Sequence, residues 1–83
     1  IDVRNQSEWD SGHIPGAHHM MLGNLTDKLD EVPKDKKIIA HCQSGARSAI
    51  GTSLLLKNGY KDVVNLEGGY SAWEEEGLPV KKD

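Results

Sequence analysis

The chain has one cysteine, Cys42, which follows directly on the apolar run Ile38-Ile39-Ala40 and on His41, and it precedes Gln43-Ser44-Gly45-Ala46-Arg47-Ser48. In an open α/β sheet, ligands bind beyond the carboxyl ends of the strands, so a nucleophile at this point would face a crevice. A short polar segment with a glycine can curl until several backbone N–H groups converge, and together with the helix N-terminus behind it this forms an anion site. The same field favours thiolate over thiol, and cysteines in such settings show pKa values lowered from ~8.5 to about 3.5–7.5. Each unit of that shift corresponds to about 1.36 kcal/mol. Arg47 adds a fixed positive charge that can pair with the thiolate, with a bound anion or with a neighbouring carboxylate.

A lone cysteine at a strand end is more often a small buried hydrophobe. The glycine-containing loop and the helix after it turn the reading towards a nucleophile. The four histidines, His13, His18, His19 and His41, do not have metal-ligand spacing, and adjacent His18 and His19 would point to opposite faces of a strand, so no metal site is expected. His41 is expected to pack or hydrogen-bond beneath the loop. Trp9, Trp73, Tyr60 and Tyr70 are expected in or at the edge of the core, because a small domain without phenylalanine needs its large rings for burial. Tyr70, just after Gly68-Gly69, could instead line the mouth of the site. Glu74-Glu75-Glu76 and Lys81-Lys82 read as solvated charge.

Positioning Cys42 requires the elements around it. Ile1-Asp2-Val3-Arg4 reads as a strand already under way, and Ser7 can cap a short turn through Glu8, Trp9 and Asp10. Gly12 to Gly16 is turn chemistry, and Ala17 to Met21 a plausible strand. Asn24 is an N-cap candidate for a short helix with Leu25 and Leu29, stopped by Pro33; Lys34 to Lys37 is a solvated turn. The continuous run Ile38-Ile39-Ala40 suggests a strand buried on both faces. Arg47 to Asn58 predicts a helix, with Ile50 and Leu54 four apart, Ala49 and Leu56 seven apart, and Gly59 closing it. Gly51 and Ser53 would let that helix lie close to the sheet. Val63 to Leu66 is the next strand, and Tyr70 to Glu76 a last helix closed by Gly77 and Pro79. Strands alternating with helices predict an α/β domain around a parallel sheet.

With 83 residues the chain is one domain, 1–83, at most. Its 36% hydrophobic and 28% charged content is that of an ordinary globular domain, and no apolar stretch nears the ~20 residues of a membrane span. A net charge of −3 offers no basic face to neutralise phosphates, so nucleic acid is not an expected partner, and neither is a membrane. One cysteine cannot form an internal disulfide and no signal-peptide pattern opens the chain, so a reducing, cytoplasmic setting is expected.

His41-Cys42-Gln43-Ser44-Gly45-Ala46-Arg47-Ser48 resembles the active-site loop of the rhodanese family. Asp2-Val3-Arg4, Glu8-Trp9 and Gly12-His13-Ile14-Pro15-Gly16-Ala17 are similar to its first signature, and Gly59-Tyr60, Asn65 through Tyr70, Ala72-Trp73 and Gly77-Leu78-Pro79-Val80 to its closing one. The resemblance implies a three-layer α/β fold with a central, mainly parallel sheet, here without the family's first strand and helix, so that the domain is N-terminally truncated. It also implies a sulfurtransferase, in which Cys42 takes a sulfane sulfur from thiosulfate or a thiol persulfide and yields it to a thiophilic acceptor such as cyanide. Gln43, Ser44, Gly45, Ala46, Arg47 and Ser48 would cradle the persulfide, with no cofactor. By the same resemblance, Arg47 either holds the loop or helps to bind an anionic donor, and Asp2, Arg4 and Glu8 tie the strand end to neighbouring loops.

The resemblance leaves alternatives. A phosphatase or arsenate reductase on this scaffold has five residues between cysteine and arginine, whereas four separate Cys42 from Arg47. A catalytically silent regulatory module usually lacks the cysteine. A fused upstream enzyme, as in metallo-β-lactamase-like persulfide oxidisers or coenzyme A disulfide reductases, is a further expectation. Uncharged Gln43 and Ser44 predict that a low-molecular-weight persulfide serves better than dianionic thiosulfate.

Overall fold

The structure, a computed structural model, describes residues 1–82. At its centre β1 (Ile38–Ala40) and β2 (Val63–Asn65) pair in parallel, Ile38 opposite Val63 and Ala40 opposite Asn65. Beyond β1 the sheet continues through single parallel bridges, Asp2 to His41 on one side and Asp2 to His19 on the other. The Val3 N–H donates to the His41 carbonyl at 2.9 Å, and the Met20 N–H to the Asp2 carbonyl at 2.8 Å. Four parallel lanes therefore lie side by side. The two lanes expected as strands at 1–4 and 17–21 shrink to bridges because the Arg4 N–H leaves the ladder and donates to the Asp2 carboxylate at 3.0 Å.

Between β1 and β2 runs α2 (Ala46–Lys57), one residue earlier at each end than expected. Its inward residues are Ser48, Gly51 and Leu55, spaced three and four apart, with Leu54 partly buried. Ile50 and Leu56 are instead about half exposed, at 56% and 49%, so the face expected from the apolar spacing is rotated. The cause lies in the helix's first turn, where Ser48 is turned towards the Cys42 sulfur and is fully buried. Gly51 does lie close to its neighbours, and a Cβ there would stand 3.6 Å from the side chains of Val3, Leu22 and Leu25; Ser53 is exposed and takes no part. Leu25 and Leu55 are fully buried at the centre of a core that includes Met20, Val32, Ile38 and Tyr60. Each such side chain contributes about 1.5–3 kcal/mol on burial.

The expectation that β1 is buried on both faces is corrected. Ile38 and Ala40 are buried, but Ile39 is 47% exposed, and Val64, opposite it in register, is 40% exposed. Successive strand residues alternate faces, and α2 covers only one of them.

Three other local readings change. The first helix, α1 (Gln6–Ser11), is capped by Asn5 and not Ser7: the Asn5 N–H donates to Glu8 Oε1 at 3.0 Å, the return half of a capping box. Asn24 caps no helix. It ends a 3-10 turn, Leu22–Asn24, which runs on into a second, Thr26–Glu31, broken at Lys28 by a non-helical backbone. The Tyr60 hydroxyl, which lies within hydrogen-bond reach of the Leu29 and Val32 carbonyls and shares its one proton between them, ties that segment to the core. The last helix, α3 (Gly69–Glu75), begins one residue earlier than Tyr70.

Candidate functional site

The loop from Cys42 to Gly45 leaves β1 at its carboxyl end and enters α2 through Gly45, whose φ of 114° lies in the left-handed region that glycine tolerates. That turn aims the Gly45 N–H at Cys42 Sγ, 3.0 Å away. The Ser48 hydroxyl, one helical turn further on, lies 3.5 Å from the same sulfur. Burial alone would raise the thiol's pKa; the Ser48 hydroxyl and the backbone N–H groups of Ser48, Gly45 and Ser44 outweigh it and lower it to about 7. Cys42 is 1% exposed, so the sulfur is almost enclosed by the groups that stabilise its charge.

The remaining loop residues divide. Ser44 and Ala46 point outward and are exposed. Arg47 grips α1, with Nη1 to Glu8 Oε1 at 2.7 Å and Nη2 to Glu8 Oε2 at 2.9 Å. This fork holds the Glu8 carboxyl down at about 2, against the partial burial that opposes it. Gln43 reaches inward. Its Oε1 accepts from Arg4 Nη1 at 3.1 Å, and its Nε2 donates to the Ser71 hydroxyl at 2.9 Å.

Under the loop, Arg4 is 1% exposed and fully engaged. It pairs with the Asp2 carboxylate through Nε and Nη2, donates from Nη2 to the Gly12 carbonyl at 2.7 Å, and stacks its guanidinium 4.2 Å from the centre of the Tyr70 ring. His41 Nε2 stands 3.3 Å from Asp2 Oδ2, at ion-pair distance but outside hydrogen-bond geometry. Burial opposes ionisation of Asp2, yet His41 and Arg4 keep its carboxyl well below the usual carboxylate range. Breaking such a buried pair costs roughly 3–5 kcal/mol, because the partner is left as an uncompensated charge.

Tyr70 is 5% exposed and also helps to line a cavity of about 360 Å³ with Arg4, Ser7, Glu8, Ser11, Gly12, Gln43 and Glu74. Both readings of Tyr70, as a packed ring and as the wall of a pocket beside the loop, therefore describe it. A larger cavity of about 430 Å³ lies by Ile1, His18, Met20, Val32 and Ile39 and does not touch the loop. The histidines are dispersed: His19 Nε2 is bonded to the Arg4 carbonyl, His13 Nδ1 to the Trp9 carbonyl, and both rings stack on Trp9.

Asn65, at the end of β2, was not singled out from the sequence as a site residue. Its Oδ1 accepts from the Ser48 hydroxyl and its Nδ2 donates to the Gly45 carbonyl at 3.3 Å, so it braces both groups that hold the sulfur. Its place in a parallel strand adjacent to β1, one residue short of the turn, is the signal that marks such a neighbour. The platform supplied by α3 was missed as well. The Tyr70 N–H donates to the Cys42 carbonyl at 2.8 Å and the Ser71 N–H to the Gln43 carbonyl at 2.9 Å.

The profile of the rhodanese-like domain matches residues 1–76. A sulfurtransferase of Allochromatium vinosum is 38% identical over 80 residues, which are 96% of this chain and 75% of that protein. The thiosulfate sulfurtransferase GlpE of Pseudoalteromonas translucida is 34% identical over 73 residues, covering 88% of this chain and 70% of that one. In three dimensions the chain is similar to a rhodanese-related protein from Thermoplasma volcanium, with a TM-score of 0.94 and 34% identity over 100% of this chain and 82% of the other. With its cysteine loop at the carboxyl edge of a parallel sheet and relatives that are named sulfurtransferases, the chain belongs to the rhodanese-like domain family.

Proposed function

We propose that this domain transfers sulfane sulfur through a Cys42 persulfide and that its preferred donor is a low-molecular-weight thiol persulfide. The observation that carries the reading is the convergence on one buried sulfur of the Gly45 N–H, the Ser48 hydroxyl and the neighbouring amides, with the thiol lowered to about 7. In the first half-reaction the Cys42 thiolate attacks the terminal sulfur of the donor. The donor's S–S bond breaks, its electron pair leaves with the departing thiolate, and Cys42 keeps the sulfur as a persulfide. In the second, an acceptor thiolate or cyanide attacks that outer sulfur and Cys42 leaves as thiolate. The loop amides donate to the anionic sulfur in each resting state.

Charge balance supports a persulfide donor. Thiosulfate is a dianion, and each charge-assisted hydrogen bond it lacks weakens binding by roughly 1.5–3 kcal/mol. Both guanidiniums near the loop are already paired, Arg47 with Glu8 and Arg4 with Asp2, and Gln43 is neutral and held between Arg4 and Ser71. In this reading Arg47 holds the loop. A phosphatase would need that arginine turned to the phosphoryl group, and both of its terminal nitrogens are spent on Glu8.

The test compares kcat/KM for thiosulfate and for glutathione persulfide on the wild type and on Ser44→Arg, a substitution at an exposed loop position. The wild type is expected to favour the persulfide, and Ser44→Arg to improve thiosulfate use about 10-fold, one decade per ~1.4 kcal/mol. A wild type that already prefers thiosulfate overturns the donor assignment.

A further inference from the structure

We propose that Asn65 is a positioning residue for Cys42, acting through Ser48: its side-chain amide decides whether the Ser48 hydroxyl proton is given to the sulfur or withheld from it. The inference rests on Cys42 being the sulfur carrier and adds a residue to its control.

Ser48 is fully buried, so its hydroxyl must find its partners within the protein. A hydroxyl has one proton to donate. Three acceptors lie within reach of Ser48 Oγ: Asn65 Oδ1 in a short contact, the Gly45 carbonyl at 3.2 Å and Cys42 Sγ at 3.5 Å. With Asn65 Oδ1 facing Ser48, Asn65 is the nearest acceptor and competes with the sulfur for the hydroxyl proton. Turning the Asn65 amide over would present Nδ2 to Ser48 Oγ as a donor and free the proton for the sulfur. The turn exchanges the Ser48 bond to Oδ1 for one from Nδ2, and gives up the Nδ2 bond to the Gly45 carbonyl, which at 3.3 Å is long, at the cost of setting Oδ1 against that carbonyl.

An asparagine can therefore hold either state, with the Ser48 O–H directed at Asn65 when the sulfur is neutral and at the sulfur when it is anionic. A leucine could hold neither, and an aspartate only the first. The ionisable groups around the loop are Arg47 with Glu8 above it, and Asp2, Arg4 and His41 beneath it. Among the described residues the Asn65 side chain bonds Ser48 and Gly45 and none of these groups, so substitutions at 65 test the hydroxyl relay and not the ion pairs.

The experiment measures the rate of Cys42 alkylation by iodoacetamide against pH, a readout that does not require sulfur transfer and so separates failure of this proposal from failure of the proposed function. Wild type, Asn65→Ala and Asn65→Asp are compared, each with and without Ser48→Ala. Asn65→Ala removes the competing acceptor, and the midpoint is expected to move down, speeding alkylation below the wild-type midpoint several-fold. Asn65→Asp, nearly isosteric and able only to accept, is expected to move the midpoint up by about one unit, a roughly 10-fold slowing on the acid side. In the S48A background the Asn65→Ala shift should vanish and the Asn65→Asp shift should shrink to what charge alone produces. Equal shifts with and without Ser48, or no shift in either variant, overturn the proposal. If Asn65→Ala does not fold, the Asn65→Asp pair alone decides it by the same criterion.

Discussion

The molecule contains the same local device twice. After β1, a loop enters α2 through left-handed Gly45; after β2, a turn enters α3 through left-handed Gly68 and Gly69. Neither helix start has a side-chain cap, so in both the first backbone N–H groups need other partners. In the first unit the N–H groups converge on the Cys42 sulfur. In the second they are spent on the Cys42 and Gln43 carbonyls, the backbone of the first unit itself. One unit is left open to an anion because the other is closed around it. A strand, a glycine and a helix are therefore not enough to make a site; what matters is whether the helix-start donors have already been taken.

That contrast can be broken most forcefully at Gly69. A Cβ there would lie 2.3 Å from the Cys42 carbonyl oxygen, and φ is +53°. Gly69→Ala should cost more than the ~1–2 kcal/mol of a left-handed residue, because backbone must move. For a domain of this size that lowers the melting temperature by roughly 5–15 °C, and sulfur transfer should fall with it. An unchanged melting curve would mean that α3 is not the platform of the loop.

Gly45→Ala should separate the two properties. The nearest atom to a Cβ there is the Gly68 nitrogen at 3.8 Å, so no clash arises, but φ of +114° is hostile to a side chain. Relaxing that φ would swing the Gly45 N–H off the sulfur. A loss of at least about 10-fold in kcat/KM is expected, with about 1–2 kcal/mol of lost stability. A variant of full activity would remove the Gly45 N–H from the account.

The pH profile sharpens the comparison without mutation. Thiolate is the reactive form, so alkylation of Cys42 should rise about 10-fold per unit as pH climbs towards 7 and level off above about 8. A midpoint at the ordinary thiol value would show that the loop does not stabilise the anion.

The smallest effect belongs to the strut between Arg47 and Glu8. Both side chains are about a third exposed, at 34% and 28%, where a pair contributes roughly 0.2–1 kcal/mol. The Glu8 carboxyl is lowered in the fold, so its contribution is present above its ordinary value of 4.5 and is lost as pH falls towards about 2. Urea midpoints of wild type and Glu8→Gln should therefore differ slightly at neutral pH and converge on acidification. A gap that widens in acid would contradict this.

Much of this arrangement is legible in the residues. Cys42 stands where strand, loop and helix were expected, and β1, α2, β2 and α3 each lie within a residue or so of their sequence boundaries. Periodicity misassigned the inner face of α2, because a polar residue, Ser48, occupies it and pairs with another polar residue, Asn65. Hydrophobic spacing is blind to a buried hydrogen bond. It likewise missed that Ile39 is uncovered, since a continuous apolar run looks the same whether one face or two are packed. Gln43 reads from the sequence as an uncharged member of the loop cradle. Its link from buried Arg4 to Ser71 joins positions 39 and 28 residues away in the chain, a separation no local pattern reports.

In the proposed reaction Cys42 carries the transferred sulfur. The most direct measurement is the intact mass of the protein after incubation with glutathione persulfide, before and after cyanide, for wild type and Cys42→Ser. Wild type is expected to gain one sulfur atom and to lose it completely to cyanide as thiocyanate, and Cys42→Ser to gain none. A wild type that gains no sulfur, or a Cys42→Ser variant that gains as much, would contradict it.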